Sequence, residues 1–186
     1  MVVPQLIIMF YKNKQLGFTL IELIVSISII VLVSSIFLVD FHKYGNKGNV
    51  DMSAQKISSD IRMIQSYAFG LKEFNGSRPK GGWGIYFNKA NNDEYIIFAD
   101  NDYGHDYDIS EKYRTIKTNN TQINNLKVGG IDKNWISVIA EPPDPTIWIC
   151  NNTSSCSTTT NAEIILESSD EQKIIEINCF GLIDIK

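Results

Sequence analysis

The chain has 186 residues, 17 basic and 21 acidic for a net charge of −4, and is 44% apolar and 20% charged with 12 Gly, 5 Pro and 3 Cys. That composition excludes a collagen-like repeat, a wholly disordered chain, a disulfide-dense toxin and a polytopic membrane protein. The mean hides an uneven distribution: residues 1–41 hold 27 apolar residues (66%), and the other 145 hold 54 (37%).

From Phe18 to Val39 the sequence reads FTLIELIVSISIIVLVSSIFLV, with 16 of 22 residues apolar and no Gly or Pro. At 1.5 Å per residue this run reaches roughly 33 Å, enough for a bilayer core of about 30 Å. It predicts a membrane helix over residues 18–39. A buried helix of a soluble domain would need protein on every side, because apolar residues recur at nearly every position. A cleaved secretory signal has a shorter apolar region, about 7–15 residues. Glu22 does not fit a plain anchor, since a carboxylate at the bilayer centre costs about 2.5–3.5 kcal/mol. It calls for a partner, and no Lys, Arg or His lies between Gly17 and Phe41. Lys12 and Lys14 are the nearest cations upstream. A cut after Gly17 would place a new α-amine on Phe18, one helical turn from Glu22.

Gly17-Phe18-Thr19-Leu20-Ile21-Glu22-Leu23, preceded by Lys12 and Lys14 and followed by the apolar stretch, resembles the processing site of type IV pilins and pseudopilins. The resemblance implies that residues 1–17 are a leader removed by prepilin peptidase, a membrane aspartyl peptidase that also methylates the new N-terminus. It assigns Gly17 and Phe18 to processing and Glu22 to assembly, through docking on a neighbour's N-terminus. The partners it implies are prepilin peptidase, the other pseudopilins or pilins of a filament, and an inner-membrane assembly platform. The leader is unusually apolar at Val2-Val3 and Leu6–Phe10, and a start at Met9 would give the shorter MFYKNKQLG. Lys12 and Lys14 at one end and Lys43 and Lys47 at the other leave orientation open by charge. The processing motif places residues 40–186 outside the cytoplasm: a single-pass protein of the bacterial inner membrane with a periplasmic head.

Beyond the membrane, residues 40–74 are expected as an amphipathic helix. Ile57, Ile61, Ile64, Ala68 and Leu71 fall at helical spacing, leaving Lys56, Asp60 and Lys72 to face water. Gly45 and Gly48 each cost about 1 kcal/mol inside a helix, which predicts a break at 45–48. The alternative is one continuous rod of about 80 Å from Phe18 to Leu71. The cluster Asn75–Gly82 ends the helical half and opens a head over residues 75–186.

Strands are expected at Trp83–Asn88, Tyr95–Ala99, Arg114–Thr118, Ile123–Val128, Trp135–Ala140, Thr146–Cys150, Ala162–Glu167 and Lys173–Cys179, with hairpins joining the first two and the last two. The fold class is α+β: a long N-terminal helix, half transmembrane and half amphipathic, packed on an antiparallel β-rich head. GGWGIYFN, YIIFAD with its Asp-rich turn, and the closing CFGLIDI resemble the GspH/FimT group of minor pseudopilins. DNA-uptake members of that group carry Arg in the C-terminal segment. Here Gly181–Lys186 has none, and residues 40–186 hold 15 basic against 20 acidic side chains. Phosphate binding needs a clustered basic surface, so the sequence argues against a nucleic-acid partner.

Asp100, Asp102, Asp106 and Asp108 put four carboxylates in nine residues, the ligand type calcium prefers. The spacing departs from the EF-hand loop, which has Gly at position 6 and Glu at position 12; counted from Asp100, Gly104 is fifth and Glu111 twelfth. Asx-rich turns also form without any metal, so a calcium site and a solvated turn both stand. His42 and His105 lack a Cys or second His at zinc spacing. No nucleophile elbow or catalytic triad pattern occurs, so no enzyme activity is expected. Cys150 and Cys156 are expected to pair, with Cys150–Cys179 as the rival. Trp83, Trp135 and Trp148 alternate with aliphatic residues as core residues do, and Asn151–Asn161 reads as an exposed loop.

The function these features point to is a minor pseudopilin of a type II secretion pseudopilus. The alternatives are a minor pilin of a type IV pilus, serving adhesion or DNA uptake, and a membrane-tethered calcium- or ligand-binding module that never polymerises.

Overall fold

The computed structural model describes residues 17–143, 147–151, 156–169 and 171–186, except the side chains of 38–47. The expectations for the leader, for Asp144–Thr146 and for Asn152–Ser155 lie outside the described residues. The chain divides into two units, Met1–Phe41 and His42–Lys186.

Helix α1 is assigned from Leu20 to Phe69. The helical assignment runs through Gly45 and Gly48, where a break was expected, and the boundary between the units falls just before them. In the first unit Leu20–Phe37 is apolar and exposed on every side. In the second, Val50, Ala54, Ile57, Ile61, Ile64 and Ala68 are buried at steps of four and three, one apolar stripe on the core.

Two side chains depart from the expected stripe. Asp60 is buried, because the Tyr95 hydroxyl donates to its Oδ2 at 2.6 Å and Lys56 approaches it at 3.5 Å. Leu71 lies beyond the helix, which ends five residues earlier than expected. Lys72 N–H donates to Tyr67 O and Leu71 N–H to Ala68 O, the paired bonds of a Schellman cap, with Leu71 left-handed at φ 51°. Lys72 does not face free water: its ammonium sits 3.4 Å from the Tyr67 ring centroid and 4.4 Å from that of Tyr113. Trp83 Nε1 donates to Lys72 O at 3.2 Å. Asn75 and Gly76 then take positive φ, and Phe74 and Ser77 exchange backbone hydrogen bonds around this tight turn.

The described residues of the head form eleven strands: β1 (Gly82–Asn88), β2 (Glu94–Asp100), β3 (Lys112–Lys117), β4 (Gln122–Val128), β5 (Ile131–Lys133), β6 (Trp135–Ala140), β7 (Ile147–Cys150), β8 (Cys156–Ser157), β9 (Ala162–Ser168), β10 (Glu171–Ile177) and β11 (Ile183–Ile185). They form a six-stranded sheet ordered β3-β2-β1-β6-β7-β8 and a five-stranded sheet ordered β11-β10-β9-β4-β5. All pairings are antiparallel. The eight expected strands are present with ends shifted by up to two residues, the last stopping at Ile177 and not Cys179. The short strands β5 and β8 were not expected, and β11 falls within the closing CFGLIDI segment.

One core joins the α1 stripe to the inner faces of both sheets, including Ile85, Phe87 and Val138 from one and Leu126, Ile164 and Ile175 from the other. The six-stranded sheet also buries Phe98, Ile139 and Cys150 on its opposite face, beneath Tyr86, Tyr107 and Trp148. Burial on both faces explains why β2 and β6 read as nearly continuous apolar runs. Gly82 carries φ 96°, and a Cβ there would lie 2.1 Å from Ala140 O. Only glycine lets β1 start against β6 at this point.

Candidate functional site

The N-terminal segment is built on a helix start. Residues 17–19 are non-helical and α1 begins at Leu20. Thr19 caps it: Glu22 N–H donates to Thr19 Oγ1 at 3.3 Å, while Thr19 N–H and Oγ1–H both donate to Glu22 Oε2 at 3.0 Å. This Thr-x-x-Glu arrangement is a reciprocal capping box. The carboxylate that called for a partner thus has two donors on Thr19, one turn away. The same cap stops the helix short of the Gly17–Phe18 bond. Gly17 has open space around it and Phe18 is 84% exposed, so the Gly17–Phe18 peptide link lies in exposed, non-helical chain.

Further along, Ser26, Ser28 and Ser35 donate their hydroxyls to the carbonyls of Glu22, Ile24 and Leu32 at 2.7–2.8 Å. Spending those protons on the helix's own backbone lowers the cost of placing serines in hydrocarbon. What remains is an apolar cylinder with one carboxylate at its start. Residues 12–38 match the protein family described as the prokaryotic N-terminal methylation motif. The chain is type IV pilin-like. In a pilin-like chain that motif implies processing by prepilin peptidase and assembly with other pilins, and the apolar helix is compatible with a single-pass membrane anchor. No curated protein and no solved structure matches the chain.

The second candidate region is the loop between β2 and β3. Asp100 is fully buried, and its carboxylate accepts the backbone N–H groups of Asp102, Tyr103 and His105 at 2.8–3.2 Å. Asp102 Oδ1 accepts the Gly104 N–H at 2.9 Å. Gly81 packs directly on Asp100, where a Cβ would come within 2.2 Å of Oδ2. The loop is held against the outer face of the six-stranded sheet at two points. His105 stacks on Trp148 at 4.7 Å and pairs with Glu141 at 3.2 Å, and Tyr107 packs on Tyr86 and Phe98.

Of the four expected calcium ligands, the structure brings together two. Asp100 and Asp102 converge with Glu111, each offering a carboxylate oxygen within 4.8 Å of the others. Asp106 and Asp108 are not in that group; Glu111 replaces them, carried into the fold by the short 3-10 turn Ile109–Glu111 before β3. Burial and the charges of Asp100 and Asp102 push the Glu111 carboxyl up to about 7. Burial raises Asp100 and Asp106 as well, Asp106 with help from Asp108 and Asp102.

Cys150 and Cys156 are joined by a disulfide across the β7–β8 pair. Cys179 stands half-buried with its thiol free, and its carbonyl accepts the Ile147 N–H at 3.1 Å. Trp83 is a core residue, whereas Trp135 and Trp148 are half-buried on the outer face.

Proposed function

We propose that the chain is a minor pseudopilin of the GspH/FimT type, a structural subunit of a type II secretion pseudopilus. On this reading prepilin peptidase cuts after Gly17 and methylates Phe18. The helix then holds the subunit in the bacterial inner membrane, with its head in the periplasm, until the assembly platform moves it into the filament. Its work is assembly and recognition, not bond-making, and no cofactor takes part in that work. The observation that carries the reading is the coincidence of the methylation motif, the accessible Gly17–Phe18 bond and the Glu22 box at the start of an apolar helix. Glu22 serves both stages: it caps its own helix before assembly and is placed to receive a neighbour's Phe18 amine within the filament.

A deletion strain scored for exported enzymes and for surface pili together tests the assignment. Loss of export with intact pili supports it, and loss of pili with intact export assigns the chain to a type IV pilus. N-terminal mass spectrometry supplies the other arm: a retained leader and an unmethylated Phe18 would leave a tethered module that never polymerises.

A further inference from the structure

We propose that the β2–β3 loop is a calcium site held by Asp100, Asp102 and Glu111. The loop runs Asp100-Asn101-Asp102-Tyr103-Gly104-His105-Asp106-Tyr107-Asp108-Ile109-Ser110-Glu111. In a twelve-residue calcium loop the ligands come from side chains at positions 1, 3, 5 and 12, a backbone carbonyl at 7, and position 9 through water. Asp100, Asp102 and Glu111 hold positions 1, 3 and 12, and they are the three carboxylates that converge.

The sharp turn such a loop needs at position 6 is normally supplied by glycine. Here His105 adopts the required left-handed backbone, φ 54°, held by its stack on Trp148 and its contact with Glu141. Gly104, at position 5, supplies no side-chain ligand, and its standing one residue early does not prevent the turn. Asp106 and Asp108 then stand at positions 7 and 9, which need not supply a side chain directly.

Glu111 gives the independent sign of an occupant. It is 3% exposed; Oε1 accepts the Asn101 N–H at 2.7 Å, but Oε2 is buried with no hydrogen-bond partner among the described residues. A buried carboxylate oxygen left open is costly whether or not the group is protonated. A hard cation shared by three carboxylates and loop carbonyls satisfies that oxygen and offsets the mutual repulsion of the ligands. All-oxygen donors and a bidentate-capable Glu favour calcium over a transition metal. The ion would fasten the loop onto the sheet, so the site governs local order in the head and is independent of the filament reading.

The test uses the full chain in detergent micelles, stripped with EDTA and titrated with calcium chloride by calorimetry and thermal melting. One saturable calcium per chain is expected, with Kd at or below about 1 mM, the weak limit for extracellular modules. For a Kd of about 0.1 mM, 10 mM calcium should raise Tm by about 5–10 °C. Glu111→Gln and the exposed-site variant Asp102→Asn should each weaken binding at least tenfold, while Asp108→Asn stays within about threefold. Absence of saturable heat and of any Tm shift in the wild-type chain would overturn the site, as would wild-type affinity in both Glu111→Gln and Asp102→Asn. Loss of binding in Asp108→Asn alone would overturn the ligand assignment. None of these readouts depends on filament formation.

Discussion

Replacing Glu22 by alanine separates anchoring from assembly, and the magnitudes run in opposite directions. Within the subunit the change removes the acceptor of two 3.0 Å hydrogen bonds from Thr19. Losing such a box frays the first turn of α1 by about 1 kcal/mol. Against that, deleting a carboxylate from an apolar helix favours insertion, by up to about 2.5–3.5 kcal/mol if the site lies at bilayer depth and less near the interface. Membrane retention should therefore hold or improve, and cleavage after Gly17 should continue, since that bond lies outside the helix. Assembly is different. On the proposed assembly, a charge-assisted contact between Glu22 and a neighbour's Phe18 amine would be worth about 1.5–3 kcal/mol, and losing it corresponds to roughly a 10- to 150-fold drop in incorporation. The assay is quantitative mass spectrometry of purified filaments beside membrane fractions, with the Phe18 N-terminus read in both. Wild-type amounts of Glu22→Ala in filaments would refute the reasoning. Loss from membranes as well would show that anchoring, not docking, had failed.

Three further outcomes follow from the head. Tyr95→Phe leaves the buried Asp60 side chain without its 2.6 Å donor, and the urea midpoint should fall by the equivalent of about 1–3 kcal/mol; a loss under about 0.5 kcal/mol would count against that bond stabilising the buried site. Gly82→Ala places a methyl 2.1 Å from Ala140 O at a positive φ; backbone strain alone costs about 1–3 kcal/mol, and a melting curve unchanged from wild type would contradict the β1–β6 geometry. Cys156→Ser opens the short β7–β8 loop and should cost about 2 kcal/mol by loop-closure entropy, read as a lower melting temperature that reducing agent no longer changes.

What could be read from the chain depended on how local the cause was. The N-terminal methylation motif is a run of consecutive residues, so its match at residues 12–38 was legible in the sequence as it stood. Thr19 was equally legible as the start of a Thr-x-x-Glu box, but the charge of Glu22 pointed to a partner farther off. Strands buried on both faces, such as Trp135–Ala140, announced themselves by composition. The three strands of two or three residues carry no periodicity of their own and exist because a longer neighbour offers an edge. Asp60 lay on the polar side of a helical wheel, and its burial is decided by Tyr95, 35 residues away. The β2–β3 loop shows the limit most clearly. Residue-type rules ask for glycine at the sixth position, whereas the fold obtains that conformation from a histidine held by Trp148 of β7 and by Glu141 just beyond β6.

The cap of α1 has a mechanical consequence. A subunit drawn out of a membrane by its helix must pass tension to its head without peeling away from it. Here the last turn is riveted: Lys72 holds Tyr67 of the helix and Tyr113 of β3 by its ammonium, and Trp83 of β1 by its carbonyl. Pull along the helix is thereby divided between two strands of one sheet instead of tearing at a single connecting peptide.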